Sequence, residues 1–312
     1  MKELKTTVSG IYPKLINSTD TPHLKRSLHK FDQKELTSEE LETVIQKNIS
    51  TAITEMREAG VTIFNDSLIR WTDFFSPFSK SFKGLSQGTL KRVFDTNTLQ
   101  RKPKVTDSIE WQENTATSDL AYAKSLLQEG EGIKATIPGP FTFFDAVDNT
   151  YYEKKEDLIN DLAKALNSQI KEYEKLGADF IEIYDPILSF GRENLEVYKI
   201  FLNDIKTPVI LGGFYGTPQG ENLNQISDLI SGFTIDAASS DVIPDLNKKI
   251  IQIGIFDART TARDDQSLCQ QKVEKIMNKF PDSEVFLALN NSPEFLPREN
   301  AKSKIKALSS LI

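Results

Sequence analysis

The sequence contains a single cysteine, Cys269, among its 312 residues. One cysteine can form neither an internal disulfide nor a multi-cysteine metal site. It stands in the helical run DDQSLCQQKVEKIMNKF, where we predict that it packs as an inert residue. Histidine is also scarce, and His23 and His29 have no acidic or cysteine partner at metal-ligand spacing. We therefore do not predict that either histidine binds a metal.

Long apolar runs are missing as well. No segment approaches the roughly 20 apolar residues that a membrane span requires, and the opening MKELKTTVSG is too polar for a signal peptide. The net charge of -7 and the pI near 5.2 argue against a general nucleic-acid surface. With 38% hydrophobic and 27% charged residues, the composition predicts a globular cytoplasmic protein without a membrane or nucleic-acid partner.

Short apolar segments rich in β-formers alternate with helical patterns along the chain. The run KKEDLINDLAKALNSQIKEYEKLG is apolar at helical spacing and closes at Gly177. The run TSEELETVIQKNISTAITEMREAG begins with a Ser/Thr cap and an acidic turn, and stops at Gly60. Eight strands are predicted, at residues 6–10, 62–67, 133–139, 180–186, 208–216, 233–238, 250–258 and 284–291. This alternation predicts an α/β fold, a (β/α)8 TIM barrel spanning residues 1–312.

Two long segments interrupt the alternation. Residues 11–36 are a polar loop before the first helix, and residues 68–112 form an excursion after strand 2 that is rich in Phe, Trp and Arg. Active sites of such barrels lie at the C-terminal strand ends, and both segments fall on that face. We predict that the 68–112 loop excursion covers this face and serves function, with a purely structural cap as the alternative.

Polar side chains stand at or just beyond most of the predicted strand ends. Asp185, Asp236, Asp257 and Arg259 are the predicted catalytic residues, although Asp236 fits equally well as a helix cap. The predicted substrate-binding residues at these ends are Lys14, Asp66, Tyr184, Tyr215 and Asn291, and Asn290 stands beside the last of them. Asp66 also fits a helix cap. The set predicts a site for a polar small molecule and no particular reaction.

Two further segments carry candidate binding residues. The segment HLKRSLHKFDQK contains a basic patch that can attract an anionic tail, or can simply be a solvated face; its members are Lys25, Arg26, Lys30 and Lys34. In the excursion, Trp71 and its neighbouring phenylalanines either pack on the barrel rim or stack on a planar ligand. The polar groups suited to orienting such a ligand are Arg70, Asp95, Asn97 and Arg101.

Several of these segments, taken in order, resemble the cobalamin-independent methionine synthase family. TTVSGIYPK is similar to the family's Thr-Thr-x-x-Gly-x-x-Pro-Arg opening, and ATIPGPFTFFDAVDN with FIEIYDPIL is similar to its Pro-Gly-Pro and Ile-Gln-Ile-Asp-Glu-Pro strands. PVILGGFYG, GFTIDAASS, IIQIGIFDART and VFLALNNSPEFLP are similar to its last four strands. The resemblance implies a (β/α)8 fold and methyl transfer to homocysteine, which forms methionine. In the family's catalytic barrel a zinc ion activates the homocysteine thiol.

The family's zinc ligands do not carry over to this sequence. The His-x-Cys pair falls on Gly212 and Phe214, the Glu falls on Asp236, and the final Cys falls on Asn291. One potential ligand of four cannot hold zinc, so no metal site is predicted. The Asp-Glu pair of the family's strand end is replaced by Tyr184 and Asp185.

The strands GGFYG and FTIDA resemble instead the metal-free N-terminal barrel of the full-length enzymes. The resemblance implies that Lys14, Lys25 and Arg26 help to hold a folate polyglutamate tail. We predict a substrate-binding partner subunit that acts with a separate zinc-bearing barrel and binds no cofactor directly, with methyltetrahydrofolate or a methylcorrinoid as methyl donor. The alternatives are a self-sufficient homocysteine methyltransferase with another donor, a metal-free enzyme similar to uroporphyrinogen decarboxylase, and a binding barrel without methyl chemistry.

Overall fold

A computed structural model describes residues 4–14, 21–92, 99–113, 116–190, 194–213, 216–217 and 220–311. Its strands are β1 (Leu4–Thr6), β2 (Ile63–Phe64), β3 (Lys83–Arg92), β4 (Leu99–Glu110), β5 (Gly132–Pro138), β6 (Asp148–Asn149), β7 (Phe180–Tyr184), β8 (Val209–Gly212), β9 (Gly232–Asp236), β10 (Ile250–Phe256) and β11 (Glu284–Leu289). Its helices are α1 (Leu24–Asp32), α2 (Ser38–Glu58), α3 (Ser76–Ser81), α4 (Ala116–Ser125), α5 (Pro140–Ala146), α6 (Lys155–Lys175), α7 (Leu195–Phe201), α8 (Gly220–Ile226), α9 (Gln266–Lys279) and α10 (Arg298–Leu308).

Eight of the strands form one parallel sheet, in the order β1-β11-β10-β9-β8-β7-β5-β2. A parallel bridge between Thr7 and Ile63 joins the two ends of this sheet and closes it into a barrel. The predicted (β/α)8 fold is therefore confirmed. Two connections differ from the prediction. Helix α1 lies within residues 11–36, which are predicted as a loop, and residues 237–249, which lead from β9 to β10, contain no helix.

The two helices predicted most clearly from the sequence are present. Thr37 caps α2 in a capping box with Glu40, and Gly60 follows this helix in a left-handed conformation, with φ of 89°. Gly177 likewise follows α6 with φ of 73°. Such backbone angles suit glycine, which has no Cβ to clash. Among the described helices, none is long and apolar enough to cross a membrane.

The lower part of the barrel interior is apolar. Ile63, Ile210, Ile250 and Phe286 pack together inside the barrel, and Phe180 closes the cluster. A separate and larger apolar layer lies between the strands and the surrounding helices. Cys269 is buried in that layer, and burial raises the pKa of its thiol, in agreement with an inert packing role.

Above the apolar floor, the barrel interior is polar and charged. The fully buried Lys134 of β5 and Glu182 of β7 form an ion pair with an Nζ–Oε1 distance of 2.9 Å. Ser9 donates to the same Glu182 oxygen at 2.7 Å, and Gln252 of β10 donates to it at 2.8 Å. Gln252 also donates to Thr234 of β9 at 3.0 Å. These contacts tie several strands together through their side chains.

The 68–112 excursion begins with an aromatic cluster and continues into an antiparallel hairpin. Trp71 packs edge-on against Phe74 and Phe78, with ring centroids 6.3 and 5.5 Å apart. Phe74 in turn contacts Tyr184 at the end of β7, at 5.2 Å. The hairpin strands β3 and β4 follow, and β6 pairs with β4 at the other edge. The aromatic cluster therefore fixes the excursion to the rim of the barrel.

The buried ion pair predicts how the fold responds to mutation. Lys134→Met leaves Glu182 buried without its cation, and we expect a loss of about 3–5 kcal/mol in the free energy of unfolding. The double variant Lys134→Met, Glu182→Gln removes both charges and should lose clearly less. Urea denaturation followed by circular dichroism measures both. Equal losses in the two variants would show that charge pairing is not the source of the effect.

Candidate active site

The mouth of the barrel carries a hydrogen-bonded network at the ends of β9, β10 and β11. Asp236 is buried, and its Oδ1 accepts from the Asn290 amide at 3.0 Å and from the Ser239 N–H at 3.0 Å. Arg259 donates to the Ser239 hydroxyl at 2.7 Å and to Asp257 at 2.9 Å. Three of the four predicted catalytic residues thus lie in one network that runs from the barrel interior to the surface.

The pKa values of the two carboxyl groups in this network are shifted in opposite directions. Burial raises the pKa of the Asp236 carboxyl, against hydrogen bonds from Asn290 and Ser239. Burial acts in the same sense on Asp257, but hydrogen bonds from Arg259 outweigh it and lower the pKa of that carboxyl. Asp257 therefore stays an anion that holds the exposed Arg259 in place. Such a network can orient a polar ligand at the mouth.

Asp185, the fourth predicted catalytic residue, lies apart from this network. Its Oδ1 accepts from the N–H and the hydroxyl of Thr142 at 2.8 and 2.6 Å, and Tyr198 donates to Oδ2 at 2.8 Å. Burial raises its pKa to about 6 despite these bonds. A Cβ at Gly139 would lie 2.3 Å from the Asp185 side chain, so glycine is required there. Asp185 anchors the start of α5, and its catalytic role stays a prediction.

Tyr184 and Gly212 stand side by side in the barrel wall. They are register partners on β7 and β8, and a Cβ at Gly212 would lie 3.4 Å from the Tyr184 ring. Tyr184 is buried, and burial, followed by the charge of Glu182, raises the pKa of its hydroxyl. The aromatic ring borders the space that a side chain at position 212 would enter.

Lys14 lies at the mouth but faces protein groups. Its ammonium donates to the backbone carbonyl of Trp71. Burial lowers its pKa, and the nearby carboxylates of Glu294 and Asp73 oppose that shift. Burial also raises the pKa of Glu294 to about 7. Because internal carboxylates surround this ammonium, it is less suited to an external anion than the sequence alone indicates.

Asp66 and Arg70 lie behind the barrel wall, away from the Asp236 network. Arg70 forms paired hydrogen bonds with Asp119 of α4, both at 2.7 Å, and with Glu42 of α2, at 2.9 and 2.8 Å. Asp66 is buried near Asp119 and Tyr173, and burial raises its pKa to about 8. The structure therefore joins these two residues to the helix layer instead of the mouth.

The other predicted binding residues have varied surroundings. Lys25 and Arg26 are exposed on α1, Trp71 is buried, and Arg101 is exposed on β4. Asn291 is buried and accepts from the Ser292 N–H at 2.7 Å. Asp95, Asn97 and Tyr215 lie outside the described residues.

Sequence reasoning missed the charged barrel interior and Glu294. Lys134 and Glu182 each alternate with apolar residues in a strand that is otherwise mostly apolar, and this pattern could have placed them inside the barrel. No sequence pattern marks Glu294, because its position near Lys14 depends on the path of the loop after β11.

The residues at the family's zinc positions do not fit a zinc ion. Gly212 offers no side chain, Asp236 is bonded to Asn290 and Ser239, and Asn291 offers an amide; zinc prefers thiolate, imidazole and carboxylate ligands. Phe214 lies outside the described residues. Across the described part of the chain, no three His, Cys, Asp or Glu side chains are grouped so that they could hold a metal ion.

Comparison with known proteins identifies relatives over most of the chain. A family model described as "Cobalamin-independent synthase, Catalytic domain" matches residues 4–200. A methionine synthase of Saccharolobus solfataricus is 25% identical over 315 residues, covering 98% of this chain and 92% of the relative. A methionine synthase of Saccharolobus islandicus is 31% identical over 192 residues, covering 62% of this chain and 55% of the relative.

Solved structures share the fold. A B12-independent methionine synthase from Shewanella sp. W3-18-1, in complex with selenomethionine, superposes with a TM-score of 0.77 at 18% identity, covering 98% of this chain and 95% of that one. A putative vitamin-B12 independent methionine synthase from Listeria monocytogenes gives a TM-score of 0.72 at 17% identity, covering 99% and 98%. The family-model match ends before β8, so it does not include Gly212, Asp236 or Asn291.

The buried Asp66 predicts a pH-dependent stability difference. Its folded-state pKa of about 8 lies above the unfolded value near 3.9, so the native state keeps a proton that the unfolded chain loses. Wild-type stability therefore falls as pH rises through this window. Asp66→Asn cannot titrate, and its stability relative to wild type should rise from pH 5 to pH 8, by at most about 1.4 kcal/mol per pH unit. Urea denaturation at each pH measures this difference, and a constant difference would contradict the assignment.

Proposed function

We propose a function for this chain from the premise that it belongs to the cobalamin-independent methionine synthase family. The proposal is that it serves methyl transfer to homocysteine as a substrate-binding subunit, beside a separate zinc-bearing barrel. The observation that carries the proposal is the mismatch at the family's zinc positions, where Gly212, Asp236 and Asn291 stand. A barrel with these residues leaves thiol activation to another protein.

The contribution of this chain is then to bind and orient. The exposed Lys25 and Arg26 on α1 are the groups that the proposal assigns to an anionic folate tail, since long, exposed cationic side chains can follow a flexible polyanion. Lys14 is assigned only a supporting part, because its ammonium already bonds to the Trp71 carbonyl. The network of Asp236, Asn290 and Arg259 is assigned to a polar group of the substrate at the mouth.

A second candidate is a self-sufficient homocysteine methyltransferase that uses another methyl donor. The same network favours it, because a buried carboxylate with a raised pKa beside an anchored arginine can hold or move a proton at a polar ligand. This candidate requires activity from the isolated chain, whereas the first requires a partner.

Methionine formation from homocysteine distinguishes the two candidates. The chain is assayed alone, together with a zinc-bearing barrel of the family from the same source, and against that barrel alone. We expect the mixture to be more active than either protein separately. Methionine made by the isolated chain would overturn the subunit proposal and support the second candidate. Stoichiometric zinc bound to the chain would also overturn the subunit proposal.

The assigned tail site has its own test in the mixture. Lys25→Glu, Arg26→Glu should raise the KM for a polyglutamylated methyl donor by about tenfold, which corresponds to about 1.4 kcal/mol. The KM for the donor with a single glutamate should stay unchanged. Lys206→Glu, at a side chain that is 84% exposed on another part of the surface, is the matched control. Equal changes for both donors would place the tail elsewhere.

A further inference from the structure

The hairpin of the excursion presents an outward face that nothing in the proposed function uses. We call β3 and β4 together the arm. Leu90 pairs with Arg101, and Arg92 pairs with Leu99. Directly paired residues, and residues two apart on one strand, share a face, so these four side chains project from the same side. Gln100, on the opposite side, is 8% exposed, which shows that the opposite side faces the body of the protein.

The two leucines on the outward face are unusually open to solvent. Leu90 is 56% exposed and Leu99 is 57% exposed, more than any other described large apolar side chain of the chain. As diagonal neighbours they are about 7–8 Å apart, so they form one small apolar patch with an arginine on each strand. Exposed apolar residues that are grouped and rimmed by polar groups are typical of protein interaction sites.

The charge of the arm is opposite to that of the chain. Its two strands carry six lysine and arginine side chains and two carboxylates, while the whole chain has a net charge of -7. Two of the basic side chains have carboxylate neighbours, in the pairs Lys83–Glu110 and Lys102–Asp148. Within the residues that the structure describes, no carboxylate pairs with Arg92 or Arg101. The arm is therefore electrostatically complementary to the remainder of another copy of the same chain.

The charges on the edge strand β3 indicate how two copies of the chain would associate. β3 is an edge strand of its sheet, and seven of its ten residues are exposed. Antiparallel pairing of β3 with β3 of another copy would place Lys83 near Lys91 and Arg92, and like charges opposite each other are destabilising. The charges thus disfavour strand-to-strand pairing and favour contact between the arm and an acidic surface.

We propose that the arm is a docking surface for a second copy of this chain, in which Leu90 and Leu99 make the apolar contact and Arg92 and Arg101 pair with acidic groups of the other copy. A symmetric dimer requires each arm to contact the body of its neighbour, so that the same pair of surfaces is used twice. This inference does not rest on the proposed function.

Sedimentation velocity and light scattering of the full chain test the proposal. In about 0.1 M salt we expect a mass close to twice the 35.2 kDa of one chain. In about 1 M salt, where the screening length falls to about 3 Å, we expect a weaker dimer. Leu90→Glu, Leu99→Glu and, separately, Arg92→Glu, Arg101→Glu should each give a monomer in low salt.

Leu268→Glu is the matched control, because Leu268 lies on α9 and is 51% exposed. This variant should remain a dimer, and circular dichroism establishes that every variant is folded. A monomeric wild-type chain at both salt concentrations would overturn the proposal. So would a dimer that survives both arm variants, which would place the interface elsewhere, or equal dissociation by Leu268→Glu. Binding of the arm to a zinc-bearing barrel by a monomeric chain would overturn it in favour of a different partner.

Discussion

The ion pair between Lys134 and Glu182 is the interaction on which the barrel interior depends. Neither side chain has measurable solvent exposure, and each charge would be very costly without the other. Ser9 and Gln252, from other parts of the wall, add hydrogen bonds to the Lys134 ammonium and to Glu182 Oε1. The apolar cluster below requires no such matching, because dispersion and burial are not directional. The polar layer fixes the relative positions of the strands whose ends form the mouth.

Above that layer, two carboxylates that stand in similar places in the sequence have different hydrogen-bond partners. The two carboxylate oxygens of Asp185 accept hydrogen bonds from Thr142 and Tyr198, and the bond from Thr142 connects the end of β7 to α5. Asp236 accepts from the Asn290 amide and from the Ser239 N–H, and the Ser239 hydroxyl accepts from Arg259, so Asp236 belongs to the network at the mouth. The first arrangement joins a strand end to a helix, and the second keeps a polar network at the mouth.

At the mouth, the described positions that the family resemblance assigns to zinc ligands do not suit a metal ion. Gly212 places no side chain beside Tyr184, and a Cβ at this position would lie only 3.4 Å from the Tyr184 ring. Changing one of these positions alone would not restore a zinc site, since Gly212 offers no side chain and Asn291 is a poor ligand. The surrounding polar groups suit binding and orientation, which is why a partner for the chemistry is part of the proposed function.

The sequence by itself determined the barrel and the family, because both follow from local patterns. Strand and helix periodicity depends on neighbours a few residues apart, and the glycine at position 212 cannot become a ligand in any fold. Only the tertiary structure decided which candidates share a site. Asp66 and Asp236 both stand at or just beyond a strand end, yet Asp66 lies in the helix layer with Asp119, while Asp236 lies at the mouth with Asn290. Successive residues leave a strand on opposite sides, and the path of the following loop then selects the partner. That path is set by packing between distant parts of the chain, which the local pattern does not contain.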